Sequence, residues 1–467
     1  MSMRYPAGIV TASYFPLKVP NAPTIGTATF ASSTSVSVTF TAPSNVGGGA
    51  ITSYVATALK TSDGTTVSGT GSSSPVTISG LTTGSAYTVT VAAVNAFGAG
   101  PASAASNSVT PLETQLWSWG ANDWGQLGQN NTTYRSSPVQ VGLLTNWIQI
   151  AAGKNASVSV KSDGTLWSWG FNQFGQLGQN STTNRSSPVQ VGALSAWREV
   201  AYANYFAFAI TTSGTLWAWG ANGGELGLND VVYRSSPVQV GALSNWLQIS
   251  SGKQFSVAVK TDGTLWTWGR NNYGQLGQNI ATGTNRSSPV QVGSLTNWSQ
   301  VAAGSYHALA IKTDGTLWTW GNNGNGQLGL GDGYGANRSS PVQVGTLTNW
   351  ATVAGGTVHS IATKTDGTLW TWGQNGSGRL GQNNTIYRSS PVQVGALTNW
   401  SSVSAGSEFS SAVKTDGTLW TWGRNNNGQL GQNDTINRSS PVQVGALTTW
   451  SKIAKGSNAE HLLAIKS

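Results

Sequence analysis

The sequence predicts an all-β protein, a β-sandwich of about ninety residues followed by a seven-bladed β-propeller whose last strand pairs with its first to close the ring. Two observations carry this. The motif LWxWG begins at Leu116, Leu166, Leu216, Leu265, Leu317, Leu369 and Leu419, at spacings of 50, 50, 49, 52, 52 and 50 residues. A repeat of that length cannot bury its own apolar face and must stack on its neighbours. Each copy also holds four short strand-like segments, of which WSQVAAG, HALAIK, TLWTWG and SSPVQVG, starting at Trp298, are the clearest set. Four antiparallel strands per repeat make a propeller blade.

At 467 residues the chain exceeds one ordinary domain. Three segments are expected: 1–20 extended, 21–111 the sandwich, and 112–467 the propeller. Charged residues are only 8% of the chain, but 22 tryptophans and 60 glycines argue for packed, turn-punctuated strands over disorder. The absence of cysteine removes disulfides, thiol chemistry and thiolate-bound zinc. The net charge of +9 raises the question of nucleic acid. Twelve of the 24 basic residues belong to the repeat, however: Arg135, Arg185, Arg234, Arg286, Arg338, Arg388 and Arg438 in RSSP, and Lys161, Lys260, Lys312, Lys364 and Lys414 before an Asp-Gly pair. Charge spread evenly around a ring lacks the clustering of a nucleic-acid footprint, so none is expected, and the repeated arginines read as structural hydrogen-bond donors.

Residues 1–20 contain neither the apolar core of a signal peptide nor a membrane span, and no stretch of the chain approaches the roughly 20 apolar residues a span needs. Arg4, Tyr5, Ile9, Val10, Tyr14 and Phe15 offer more anchoring side chains than a solvated tail requires, which suggests an extended docking peptide. From residue 21, SVSVTFTA, ITSYVATAL, PVTISGL and AYTVTVAAVN alternate with period two between Gly- or Pro-marked turns, as sandwich strands do. This segment resembles a fibronectin type III domain: Leu81 in GLTTGSAY and Tyr87 match that family's tyrosine corner, and VNAFGAGPAS matches the loop and last strand that follow. The family's second-strand Trp is missing, and Phe40 is its expected substitute. Such domains are spacers or adhesive modules, and no Arg-Gly-Asp sequence supports integrin-type adhesion.

Within the repeats, Asp-Gly at Asp163, Asp262, Asp314, Asp366 and Asp416 signals a two-residue hairpin, with Ser213-Gly214 in its place once. The first LWSWG has no preceding strand partner and the final HLLAIKS has none following, so pairing them closes the ring and removes free edges. The run GSYHALAIKTDGTLWTWGNNGNGQLG from Gly304 resembles the repeats of the regulator of chromosome condensation family. That resemblance implies the propeller fold. The family includes a nucleotide-exchange factor for a small GTPase and a secreted inhibitor of β-lactamases, so the scaffold alone implies no single activity. No exchange residues of that family map onto this chain.

Twenty-one tryptophans recur in every blade and read as mortar between blades. Both Trp of LWTWG should lie on one side of the strand, with Leu and Thr on the other. His307, His359 and His461 are the only histidines, and the place of the first two is taken in other blades by Ala156, Phe206, Phe255 and Phe409, which marks a packing position. No metal site, cofactor or catalytic triad is expected, and the Gly-rich GxNxxGQLG loop lacks the Lys and following helix of a phosphate loop. The positions that escape repetition fall in the loops after the first and third strands of each blade, which emerge on one face, whereas the TDGT and VGALTN turns of the other face barely change. Trp124, Phe171, Phe174, Tyr205, Arg270, Tyr273, Tyr306, Arg379 and Arg424 are the candidate binding residues there, aromatics and Arg being the types favoured at binding hot spots.

The opening RYPAGIV, and NAPTIGTA followed by these two domain types, resemble virion structural proteins of marine bacteriophages. That resemblance implies a non-enzymatic virion protein, a capsid- or tail-attached fibre or decoration. Residues 1–20 would dock on other virion proteins, and the propeller would bind a host-surface glycan or protein at the particle surface, homo-oligomerisation being open. A secreted bacterial adhesin or inhibitor is the alternative class, and an intracellular GTPase or chromatin regulator a third.

Overall fold

The computed structural model describes residues 18–467, and the candidate anchor residues Arg4, Tyr5, Ile9, Val10, Tyr14 and Phe15 lie outside them. The chain divides into two compact units between Glu113 and Thr114. Among the described residues no helix is long and apolar enough to cross a membrane.

In the first unit, strands Thr24–Ser32, Ser35–Thr41 and Val76–Ser79 form one sheet. Strands Ser53–Lys60, Thr66–Gly71, Tyr87–Asn95 and Gly98–Ala99 form the other. Period-two alternation sends Tyr87, Val89, Val91 and Ala93 inward from one sheet against Val36, Val38, Phe40 and Ile78 from the other. The Tyr87 phenol oxygen accepts a hydrogen bond from the Thr82 amide at 2.9 Å, which makes the expected tyrosine corner. Phe40 lies in this core, its ring 4.6 Å from that of Tyr54. The last segment is less regular than its sequence implies: after Gly98–Ala99 it pairs only intermittently, with the Ser103 and Ser106 hydroxyls accepting from the Val91 and Val89 amides.

The second unit consists of seven four-stranded antiparallel blades. Blade 1 is assembled from both ends of the unit, as Trp450–Ile453, His461–Lys466, Gln115–Gly120 and Arg135–Thr145 in that order. Its closing register runs from His461 opposite Gly120 to Lys466 opposite Gln115, so the expected ring closure is present. Blades 2 to 7 follow at 147–190, 197–239, 246–291, 298–343, 350–393 and 400–443. Each blade's strands are called a to d outward from the central lumen. In blade 5 they are Trp298–Ala303, His307–Lys312, Leu317–Gly321 and Arg338–Gln343.

The Asp-Gly turn departs from the two-residue form. In blade 2 the Lys161 amide donates to the Thr165 carbonyl, and Gly164, at φ +78°, is the turn's one left-handed residue. The loop is therefore Ser162-Asp163-Gly164, the three-residue type whose final Gly takes the left-handed position. The Asp163 carboxylate accepts from the Thr165 amide at 2.9 Å and hydroxyl at 2.6 Å, and that hydroxyl oxygen accepts from the Trp167 indole at 2.9 Å. Asp, Thr and the first Trp of LWxWG thus form one local network. The residues favour this loop because Asp can bond the backbone two residues on, and Gly tolerates positive φ.

The two tryptophans of LWxWG have different tasks, although alternation puts them on the same side. The second is fully buried and donates its indole N–H to a carbonyl of the preceding blade, at the third-from-last residue of the GQLG-type segment. The pairs are Trp119 with Gln429, Trp169 with Gln126, Trp219 with Gln176, Trp268 with Glu225, Trp320 with Gln275, Trp372 with Gln327 and Trp422 with Arg379, all at 2.7–3.0 Å. This is mortar between blades. The first Trp stays half-buried within its own blade. There it forms, with the Trp that opens strand a, a slot for the repeated lysine: the Lys312 ammonium lies 3.8 Å from the Trp318 ring centre and 4.9 Å from that of Trp298. Lys260, Lys364 and Lys414 repeat the arrangement, and burial lowers the pKa of each ammonium. Four of the chain's 24 basic side chains are therefore enclosed. The RSSP arginines are structural as expected: Arg135 and Arg185 donate to Gln129 and Gln179, and Arg234 and Arg438 pair with Asp230 and Asp434 at 2.5 and 2.6 Å.

Candidate functional site: the loop face of the propeller

The loop between strands c and d is built on a buried Asn. In blade 1 the Asn122 side-chain oxygen accepts from the Leu127 amide, and its nitrogen donates to the carbonyls of Asn131 and Thr133, each within 3.0 Å. The Gln126 side chain accepts from the Trp124 amide. Gly128 must be glycine, because φ is +70° and a Cβ would meet the Trp169 indole nitrogen at 2.8 Å. These repeated groups bond the loop's backbone, although the Gln126 side-chain nitrogen is left without a partner, and leave the two residues after Asn to face outward. The variable side chains are held on this rigid frame.

On blades 1 to 3 the frame brings aromatics into a continuous run. Ring centres are 4.8 Å apart for Trp124 and Phe171, 6.0 Å for Phe171 and Phe174, 5.1 Å for Phe174 and Tyr205, and 5.7 Å for Phe174 and Tyr233. Trp124 is 38% exposed and Tyr233 56%, whereas Phe174 and Tyr205 are half-buried. Phe171 is buried beneath them as the floor, which corrects its reading as a surface contact: it begins the loop directly after strand c, and its own amide bonds the Asn155 carbonyl of the neighbouring loop. Tyr233, with exposed Val231 and Val232 beside it, extends the run and is missing from the sequence-derived set. Its signal was available, since Tyr134, Tyr233 and Tyr387 alternate with Asn at the position before the RSSP Arg. Beside the run, the Tyr134 hydroxyl donates to the Asp123 carboxylate, and burial together with this acid raises its pKa to about 12.

The other candidates form two separate groups. On blades 4 and 5, Tyr273 and Tyr306 lie 5.1 Å apart, the Lys253 ammonium is 5.6 Å from the Tyr306 ring, and Arg270 donates to Gln254 at 2.5 Å. On blades 6 and 7, Glu408 takes Arg424 at 3.3 Å and Arg379 at 3.5 Å. Arg379 is only 3% exposed, so it is not a surface contact: it replaces Gln in a GQLG segment, and that position points inward. The histidines are interior as expected. His307, His359 and His461 bond the hydroxyls of Ser360, Ser410 and Ser157 in the next blade at 3.0, 2.9 and 2.8 Å. Burial depresses the pKa of His307 and His461 to about 3, and burial together with the nearby Arg379 charge holds that of His359 well below the ordinary value. Among the described residues no three His, Asp or Glu side chains converge as metal ligands.

Strand a of every blade lines the lumen, which holds a cavity of about 530 Å³. Its lining includes Arg198, Glu199, Lys452 and Lys455, none of which belongs to the sequence-predicted site residues.

A ring of four-stranded blades, stapled by one indole per blade and presenting a framed loop face, defines a β-propeller of the repeat type. The profile described as the RCC1-like domain matches residues 115–464, and the chain belongs to this family. The profile described as the fibronectin type III domain matches residues 21–109. Among characterised proteins, the human probable E3 ubiquitin-protein ligase HERC3 is 42% identical over 76 residues, which are 16% of this chain and 7% of that protein. The ultraviolet-B receptor UVR8 of Arabidopsis thaliana is 39% identical over 74 residues, 16% of this chain and 17% of the receptor. The chain thus matches only a small part of each relative's length. The structure of Prp20p from Saccharomyces cerevisiae, described with its binding to Gsp1p and histones, covers 76% of this chain and 91% of its own at 20% identity and a TM-score of 0.67, a likeness of fold.

Proposed function

We propose that the chain is a non-enzymatic binding protein whose propeller engages a surface glycan or protein through the loop face of blades 1 to 3. The observation that carries this reading is the aromatic run from Trp124 to Tyr233, the longest chain of touching rings on that face. Exposed rings on a preorganised frame lose little conformational entropy on binding and offer both stacking surface for sugars and anchors for proteins. Protein binding by Prp20p, a propeller of similar fold, supports a macromolecular partner.

The placement we propose is a virion surface, with residues 1–20 as the attachment segment, 21–111 as spacer and 112–467 as the outward-facing head. It is supported by the opening RYPAGIV and the order of the domains. Mass spectrometry and electron microscopy of purified particles from the source test it. The expected result is this chain at defined, symmetric positions, and removal of residues 1–20 should abolish its incorporation. Its absence from particles, with the chain recovered as soluble protein, would instead favour the secreted adhesin or inhibitor.

A further inference from the structure

The lumen breaks the sevenfold pattern in one sector. The third residue of strand a, from blade 2 round to blade 1, is Gln149, Glu199, Gln248, Gln300, Thr352, Ser402 and Lys452. The sixth position counted from the same Trp, which in blade 1 lies past the strand's end, is Ala152, Tyr202, Ser251, Ala303, Gly355, Ala405 and Lys455. Charge therefore enters from blades 1 and 3, on either side of blade 2. In blade 3 the Arg198 guanidinium donates to the carbonyls of Thr211, Trp246 and Leu247 at 3.1, 2.6 and 3.0 Å and lies 3.6 Å from Glu199. Glu199 bonds the Ile249 amide, as the neutral Gln248 and Gln300 bond Val301 and Val353. In blade 1 the Lys452 ammonium donates to the Ile148 carbonyl at 2.6 Å and keeps further N–H groups free. The Lys455 ammonium has no acceptor and no carboxylate within ion-pair distance among the described residues.

The chain around Lys455 departs from the other blades. Eight positions separate Ile453 from His461, against six from Val301 to His307, a two-residue insertion. Strand a stops pairing early, and the Ala152 amide takes the Lys455 carbonyl at 3.1 Å. The inserted loop then crosses the lumen mouth on the loop face. Thr357 of blade 6 donates to the Ser457 carbonyl at 3.0 Å, the Ser407 amide of blade 7 donates to the Ala459 carbonyl at 2.9 Å, and Ser305 of blade 5 bonds Asn458.

We propose that the lumen binds a compact dianionic oxyanion, a sulfate or phosphate group, held between Lys455 and Lys452. Two ammonium groups share one protein-walled space and only one carboxylate, Glu199, opposes them there, Arg198 being committed to backbone carbonyls. Desolvation in the lumen lowers the pKa of both lysines, and the Lys455 charge lowers that of Lys452 further, while both side chains keep accessible surface there. An oxyanion supplies the missing charge and accepts several short charge-assisted bonds from the free N–H groups. Ser251, Ser402 and Gln248 on the lumen wall are neutral donors for its remaining oxygens. The cavity of about 530 Å³ also leaves room for a small body attached to the anion. Two lysines needed only for packing would not occupy positions that most other blades fill with small or neutral residues.

Equilibrium dialysis of the full chain against radiolabelled sulfate, at ionic strength fixed with chloride and pH 7.5, tests this. One saturable site per chain is expected, weakened about ten-fold or more by Lys455→Gln. Lys455→Arg should retain it, Glu199→Gln should tighten it, and Lys154→Gln on the loop face should leave it unchanged. Absence of saturable binding, or a Lys455→Gln protein that binds as the parent does, overturns the proposal. Should Lys455→Gln fail to fold by near-ultraviolet circular dichroism, Glu199→Gln decides: tighter binding supports the site, and unchanged affinity refutes it.

Discussion

The interior of this propeller is held by a few polar pairs that recur or vary together. Blade 3 replaces both the Lys and the Asp of the Lys-x-Asp-Gly turn, with Thr211 and Ser213, whose hydroxyls bond each other at 2.9 Å while Thr215 still accepts from the Trp217 indole. The cation and its neighbouring carboxylate leave together, so no unpaired charge is stranded at the turn. The histidines follow the same logic, each matched by a Ser in the next blade. Their depressed pKa values set a pH dependence. A histidine at about 3 in the folded state and near its ordinary 6.5 when unfolded stabilises the fold fully above pH 6.5, and that contribution is lost as the pH falls from there towards 3. At about 1.4 kcal/mol per pKa unit the loss is several kcal/mol per histidine. Glu199, raised to about 6 by burial, acts in the opposite sense over a narrower range between its ordinary 4.5 and 6. Net acid lability is therefore expected. Replacing His307→Phe together with Ser360→Ala, in the manner of Phe255 and Ala308, should move the acid-unfolding midpoint to lower pH while leaving the melting temperature at pH 7.5 within a few degrees. An unchanged acid midpoint would show that the buried imidazole does not set it.

At the scale of the blade, stability depends on ring closure. Strand His461–Lys466 fills the gap beside Gln115–Gly120 and buries Leu462, Leu463, Ala464 and Ile465. Deleting 461–467 removes those side chains and should cost roughly 5 kcal/mol or more. It also leaves an open strand edge, so aggregation on mild heating is expected. Differential scanning calorimetry showing the parent's melting temperature in the truncated chain would contradict the closure described here. Blade number, strand order and closure were all legible in the sequence, because the 50-residue period and the unmatched end strands admit few other arrangements. The turn was less so: Asp-Gly suits both two- and three-residue loops, and the choice depends on Thr165 and Trp167 completing the network. The separate tasks of the two Trp were hidden for a related reason, since alternation fixes the side of a strand but not which neighbour lies above it.

For the whole molecule, the faces differ in kind. The scaffold face repeats one turn, with half-exposed leucines such as Leu194, Leu295 and Leu397 in each blade. The loop face is diversified on a fixed Asn-centred frame. Variation between blades marks the loop positions but does not separate outward side chains from inward ones. Phe171 and Arg379 therefore read as contacts in the sequence although the frame turns them inside, and Tyr233 does not stand out there. The lumen charges are hidden from a reading of loop variation because Arg198, Glu199 and Lys452 lie on strands, and Lys455 lies just past the end of one. The measurement that tests the central claim most directly is side-by-side binding of three folded proteins to a glycan array and to intact candidate host cells. These are the parent, a Trp124→Ala/Phe174→Ala/Tyr233→Ala variant, and a scaffold-face Leu295→Ser/Leu397→Ser variant. The aromatic variant should melt within a few degrees of the parent yet lose at least about ten-fold in affinity, while the leucine variant should bind as the parent does. Full binding by the aromatic variant, or loss confined to the leucine variant, would place the functional surface elsewhere.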